Sequence, residues 1–342
     1  MSFATRIARI LFLLALLCGL RPVPATTAQT LPPGMDAFDE LQRNVWYLPT
    51  TDGAARLYVT SMGQGPTVVV LHGGPGNDFH YLVPALRPLA KQYRFVLFDQ
   101  RGSLFSPVRE KDVEKIGLDV LVDDLETLRA ALGEPQLVLL GHSFGTILAQ
   151  AYYRKYPEHV AGLVLAASAP PQADSMRTFM SHVREAHQRM KTLRSRPEVA
   201  AALCDAGVAS GEAGAPLSPR AASVRSKIGL ASVNLVKVER WRELYGGGVY
   251  YKPEVDDAIG NTIPETYDLG PALARRSVPI AVLQGDQDYL DPAANSWRPL
   301  AMANPAIEVN VLSGAGHYSW IDAPAEFTRM LSHGLARVPR GR

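Results

Sequence analysis

The chain predicts an α/β fold, a mostly parallel, doubly wound sheet with an inserted helical cap. Three observations carry that expectation. Short runs of Val, Leu and Ile recur with apolar residues at successive positions, as strands buried on both faces require. Helical patterns lie between them. The alternation then stops between Pro170-Pro171 and Pro271, where no parallel strand is visible. The expected division is 29–170 and 271–342 for the core and 171–270 for the cap, with 1–28 set aside.

In order, Arg6 and Arg9 precede the apolar run Ile10–Leu20 and small residues that end at Ala25 or Ala28. That pattern is the one a secretory signal peptide needs, and Ile10–Leu20 is short for a bilayer span. It predicts export to the periplasm or medium, with no stable membrane insertion after cleavage. Only Cys204 would then remain beside the discarded Cys18, which leaves no disulfide and no cysteine metal site. Gln29–Gly34 reads as a lead-in. Arg56–Thr60 alternates, as an early antiparallel strand does. Thr67–Leu71, Phe95–Phe98, Leu137–Leu140, Gly162–Ala166, Pro279–Gln284 and Ile307–Leu312 are the parallel strands. Helices are expected over Val120–Leu132, stopped by Gly133, and over Phe144–Tyr156, stopped by Pro157. In the cap, Ser175–Arg196 is a long basic helix, Gly207–Pro219 a break, and Ala231–Tyr245 a helix before Gly246-Gly247-Gly248. With 342 residues, 47% of them hydrophobic, and a net charge of +2, the chain can bury a large core and gives no electrostatic case for nucleic acid.

Two glycine turns carry the chemistry. Gly141-His142-Ser143-Phe144-Gly145 joins a strand to a helix, the context in which Gly-x-Ser-x-Gly lifts a serine above a sheet. Ser143 is the expected nucleophile. A serine hydroxyl needs a base. Of the eight histidines, His317 stands in the loop Ser313-Gly314-Ala315-Gly316-His317 after the last strand, and is the expected general base and acid. His72 and His142 lie within the two turns and read as structural. The orienting carboxylate follows the penultimate strand in Gly285-Asp286-Gln287-Asp288. Asp288 is the choice and Asp286 the competitor, whose loss is expected to matter little. Asp291, before Pro292, reads as a helix N-cap. Oxyanion donors are expected from the N–H groups of Phe144 and of Gly74, in His72-Gly73-Gly74-Pro75-Gly76. No dinucleotide fingerprint or His/Cys ligand spacing is present, so no cofactor or metal is implied.

Together these residues resemble the α/β-hydrolase superfamily. Within it, His72–Gly76 and Phe98-Asp99-Gln100-Arg101-Gly102-Ser103 resemble the proline iminopeptidase family, over about 45–170 and 275–330. The resemblance carries nucleophile, acid and base to Ser143, Asp288 and His317. It implies that Asp99 and Arg101 brace the loop beside the site with Gln100 close by; a plain ion pair between them is equally consistent. The chain departs from the family at Phe144, where a tryptophan is usual, and at Leu104-Phe105-Ser106. The family's free-amine recognition implies acidic cap residues, with Glu239, Glu243, Asp256, Asp257 and Glu265 on offer.

Three readings follow. The leading one is an exported serine aminopeptidase that releases N-terminal residues, proline-type, from short peptides, with Glu239 and Glu243 at the amine. The second is a carboxylic-ester or lactone hydrolase with the same triad, whose pocket Phe105, Trp241, Tyr250 and Tyr251 would line. The third is a binding protein on a hydrolase fold. The partner expected is a small molecule or short peptide; the sequence leaves the oligomeric state open.

Overall fold

Alternate residues of each central strand feed two separate cores, which is why the strands read as unbroken apolar runs. In β3 (Thr67–Leu71), Val68 and Val70 enter one core, and Val69 and Leu71 enter the other. The computed structural model describes residues 36–208, 217–244 and 251–339. The leader at 1–28, the lead-in Gln29–Gly34, positions 209–216 of the expected cap break, Gly246-Gly247-Gly248 and Tyr250 lie outside the described residues.

The strands are β1 (Trp46–Pro49), β2 (Arg56–Met62), β3, β4 (Arg94–Phe98), β5 (Leu137–His142), β6 (Val160–Ala166), β7 (Gln172–Ala173), β8 (Tyr267–Asp268), β9 (Ile280–Gly285) and β10 (Ile307–Leu312). Eight of them form one sheet, ordered β1-β2-β4-β3-β5-β6-β9-β10. It is parallel from β4 to β10, and β1 and β2 run antiparallel at one edge. The sequence reading lacks β1. That strand is short, at the sheet edge, and ends on Pro49, which such a position tolerates.

Helix α1 (Leu118–Leu132) stops at Gly133, as expected, and the φ of 70° there makes the stop a left-handed cap. Leu121, Leu125 and Leu128 bury its inner stripe in one core, beside Leu148, Tyr152 and Tyr153 of α2 (Phe144–Lys155). The cap contains α3 (Met176–Arg194), N-capped by Ser175, then α4 (Pro197–Asp205), α5 (Pro219–Asn234) and α6 (Pro253–Gly260). The β7–β8 pair closes its neck, with Gln172 opposite Asp268. Helix α7 (Pro324–Ala336) covers the sheet face opposite α1 and α2, through Phe327, Met330, Leu331 and Leu335.

One cap expectation is corrected. The segment Ala231–Tyr245 is not a single helix. Helix α5 ends at Asn234, and a tight 3₁₀ turn occupies Val238–Glu243. The Asp322 carboxylate explains the break. It accepts the N–H groups of Val236 (2.9 Å) and Lys237 (3.0 Å), which draws them out of helical pairing.

Candidate active site

At the end of β5 the backbone makes the turn that the glycines foretold. Ser143 has φ 54° and ψ −122°, a conformation costly for a residue with a Cβ. The flanking glycines let the turn sit close to its neighbours. A Cβ on Gly141 would stand 2.6 Å from the Gly145 carbonyl oxygen, and one on Gly145 would run into the Leu71 carbonyl of β3. Both obstacles are backbone and cannot rotate away. Gly145→Ala is therefore expected to destabilise the fold by about 3 kcal/mol, read by urea unfolding. A loss under about 1 kcal/mol would show that the elbow has slack.

The base loop comes to the same place. His317 Nδ1 lies 3.1 and 3.0 Å from the two carboxylate oxygens of Asp288, and both side chains are buried. Asp288 also accepts the Leu290 N–H at 2.8 Å. Asp286, the competitor, is engaged by other donors. Its carboxylate accepts the N–H groups of Gly314 (3.0 Å) and Ala315 (3.2 Å) and so holds the loop that carries His317. Asp291 stands just before the short 3₁₀ turn Pro292–Ala294 but its carboxylate makes no capping bond to it; it accepts instead the Ser296 N–H, beyond the turn, at 3.2 Å.

The other two histidines are built into the scaffold. Buried His72 accepts the Gln100 N–H at 3.1 Å, while the Gln100 side chain donates to the His72 carbonyl at 2.8 Å. Burial pushes His72 down to about 4. His142 is likewise held well below its ordinary pKa, first by burial and then by His317. The Tyr81 hydroxyl accepts the Gly73 N–H at 2.7 Å and lies 2.6 Å from His142 Nδ1, whose opposite nitrogen is 3.2 Å from the His317 carbonyl. One bonded chain thus joins the first glycine turn, the elbow and the base loop. It also commits the Gly73 N–H. Gly74, with φ 62°, borders the cavity beside Ser143. Phe144 opens α2, so its N–H has no intrahelical acceptor.

Ser143 and His317 border one cavity of about 490 Å³ between core and cap. Asn77, Tyr81, Leu230, Asn234, Tyr251, Tyr289 and Tyr318 also line it, and Met190 and Arg194 enter from α3. Among the described residues no carboxylate lines it, and Arg194 is the one Arg or Lys on its wall. Cap and base loop are tied together here: Tyr318 N–H donates to the Asn234 carbonyl at 2.9 Å, and Gly316 N–H to Asp322 at 2.9 Å.

Several expected substrate residues lie elsewhere. Phe105 borders a separate cleft of about 730 Å³ with Tyr47, Pro49 and Arg109, its ring 4.9 Å from that of Tyr58. Trp241 is buried in the cap under the Arg242 guanidinium, 4.3 Å from its ring centre. Glu239 is exposed, and Glu243 is bound to Arg240 at 2.6 Å on the surface. Tyr250 is not among the described residues, whereas its neighbour Tyr251 does reach the cavity. Asp99 and Arg101 do not pair. Arg101 grips Asp124 through two bonds, of 2.9 and 2.7 Å, and Asp52 at 2.6 Å. Asp99 accepts the Phe105 N–H at 2.8 Å, and burial pushes its carboxyl up to about 7. Tyr81, Tyr289 and Arg194 escaped the sequence reading. Tyr289 adjoins Asp288, so the position after a candidate acid was the available signal; Arg194 had none beyond its place on a basic helix.

Among the described residues no cluster of His, Cys, Asp or Glu is arranged to hold a metal ion. A family profile described as alpha/beta hydrolase fold matches residues 66–324. A proline iminopeptidase of Heyndrickxia coagulans is 26% identical over 292 residues, 81% of this chain and 92% of that protein. Several other curated relatives named proline iminopeptidase align over less than half of their own length. A proline iminopeptidase-related protein of Thermus thermophilus superposes with a TM-score of 0.57 at 27% identity, covering 86% of this chain and 97% of that one. An esterase of Thermogutta terrifontis superposes with a TM-score of 0.58 at 22% identity, covering 86% and 98%, and shares the fold. With the profile spanning most of the chain and the eight-stranded sheet in place, the protein belongs to the α/β-hydrolase family.

Proposed function

We propose that this chain is a serine hydrolase that cleaves small carboxylic esters through an acyl-enzyme. The observation that carries the choice of substrate is the cavity beside Ser143, which has tyrosine rings and a guanidinium on its walls and no carboxylate among the described residues. Asp288 orients His317 with Nδ1–H toward the carboxylate, leaving Nε2 to take the Ser143 proton. The Ser143 oxygen then bonds to the ester carbonyl carbon. The N–H groups of Gly74 and Phe144 receive the oxyanion, at the positive end of α2. His317 returns the proton to the departing alcohol, and water repeats the sequence to free the acid.

A second reading, release of an N-terminal residue from short peptides, is favoured by the relatives named proline iminopeptidase. It needs a partner for the substrate's ammonium, and an ammonium enclosed without one is costly. Glu239 and Glu243, proposed for that task, stand on the outer surface of the cap. Export remains a proposal that rests on the N-terminal pattern of residues 1–28.

Parallel assays of a short-chain ester, a lactone and a prolyl anilide separate these readings. Ester kcat/KM is expected to exceed prolyl-anilide kcat/KM by at least about 10³-fold, the scale on which an unpaired buried charge discriminates. Prolyl turnover without ester turnover would return the aminopeptidase. A serine-reactive phosphonate is expected to label Ser143; failure to label would favour a binding protein.

A further inference from the structure

The residue after the candidate acid does more than fill space. Tyr289 borders the cavity together with Ser143 and His317. Its ring centre lies 4.4 Å from that of the His317 imidazole, at an interplanar angle of 35°. Its hydroxyl is in hydrogen-bonding reach of the Ser143 side chain. The cap fixes this placement, because Arg189 of α3 donates to the carbonyls of Tyr289 (2.7 Å) and Leu290 (3.2 Å). Tyr289 is therefore held from both sides, by the acid loop and by the cap.

The flank that Tyr289 occupies is set by chemistry. During acylation the imidazole must reach first the Ser143 oxygen and then the leaving atom, so the leaving atom lies on the same side of Ser143 as the imidazole. The Tyr289 ring packs on that imidazole and turns its hydroxyl to Ser143. Gly74 and Phe144, by contrast, are backbone donors from the first glycine turn and the elbow. We propose that Tyr289 is a catalytic residue whose hydroxyl donates a hydrogen bond to the leaving-group oxygen as the carbon–oxygen bond of the ester breaks.

The step balances without any further reactant. The oxyanion's electron pair re-forms the carbonyl, the bond to the alkoxy oxygen breaks, and that oxygen takes the proton from His317 Nε2. Tyr289 keeps its own proton throughout and only stabilises the charge that builds on the departing oxygen. Burial, with Asp288 close by, pushes the Tyr289 hydroxyl above its ordinary pKa, so it stays neutral and able to donate at working pH. The inference rests on the ester-hydrolase reading of the same site.

The test is Tyr289→Phe, which keeps the ring against His317 and removes the donor. Esters with one acyl group and a series of alcohols are compared by kcat/KM, which reports the steps through acylation. Ethyl and other alkyl esters, whose alkoxides need help to leave, are expected to lose about 30-fold. The 4-nitrophenyl ester, whose phenolate leaves unaided, is expected to lose about threefold or less. Melting temperature and stoichiometric phosphonate labelling of Ser143 are expected to be unchanged, and the dependence of rate on leaving-group pKa to be steeper in the variant than in the parent. An equal loss for all esters would make Tyr289 an oxyanion donor and overturn the proposal, as would no loss at all. If the variant misfolds, 3-fluorotyrosine at position 289 decides: as a stronger donor of nearly the same shape it is expected to speed alkyl esters relative to the 4-nitrophenyl ester, and an unchanged ratio overturns the proposal. Persistent ester turnover in Ser143→Ala would instead remove the acyl-enzyme reading at Ser143, and this inference with it.

Discussion

Ser143→Ala is expected to lower ester kcat by about 10⁶-fold while leaving the fold intact. The loss is large because, in the proposed mechanism, the hydroxyl is the atom that bonds to the substrate. The other polar side chains on the wall are phenols, amides, imidazoles, one guanidinium and the Ser226 hydroxyl, which belongs to cap helix α5 and not to the elbow. A residual rate above that in water would still come from the backbone donors and from binding. The fold should survive because alanine keeps the Cβ that the elbow already accommodates at φ 54°. What holds the elbow is the pairing of β5 with β3 and β6 and the Ser143 N–H bond to the Ala166 carbonyl at 3.1 Å. None of these involves the side-chain oxygen. Steady-state assays with a thermal melt check both halves of the expectation. Turnover within tenfold of the parent would take Ser143 out of the mechanism.

The parts of this site that could be read from sequence are those fixed by local rules. Thr67–Leu71 has the bounds expected for it, because a strand buried on both faces declares itself by composition alone. Ile307–Leu312 also has its expected bounds, although it is an edge strand whose middle residues are half-buried. The elbow was legible because Gly141 and Gly145 are demanded by backbone contacts within the motif and with β3. Residues whose position depends on distant partners were not legible. The helical pattern of Ala231–Tyr245 is interrupted by Asp322, which is far away in sequence. Arg101 looked like a partner for Asp99 two residues earlier, yet its partners Asp52 and Asp124 come from a turn and from α1. Phe105 and Trp241 are aromatic residues in the right segments, but only packing decides which rings face Ser143. Packing chose Tyr81, Tyr251, Tyr289 and Tyr318.

Asp288→Asn is expected to cost about 10⁴-fold in kcat with little change in KM, and Asp286→Asn about tenfold or less. The two carboxylates stand two residues apart after the same strand, and what separates them is what each one accepts. Asp288 faces His317 Nδ1 with both oxygens, so an amide there would present N–H to that nitrogen and favour the tautomer with Nε2 protonated. Such an imidazole cannot take the Ser143 proton. The Leu290 N–H bond can pass to the amide oxygen, so the loop should stay in place and binding with it. Asp286 instead holds the loop before His317, accepting the N–H groups of Gly314 and Ala315 and, at 3.4 Å, the Ser313 hydroxyl. An asparagine there keeps one acceptor for those donors, which should loosen the loop and lower stability by about 1 kcal/mol while leaving the tautomer of His317 alone. Kinetics of the two variants, each with a denaturant titration, distinguish an electrostatic partner from a mechanical one. The opposite ranking would move the acid to Asp286 and would require the loop after β9 to rearrange before catalysis.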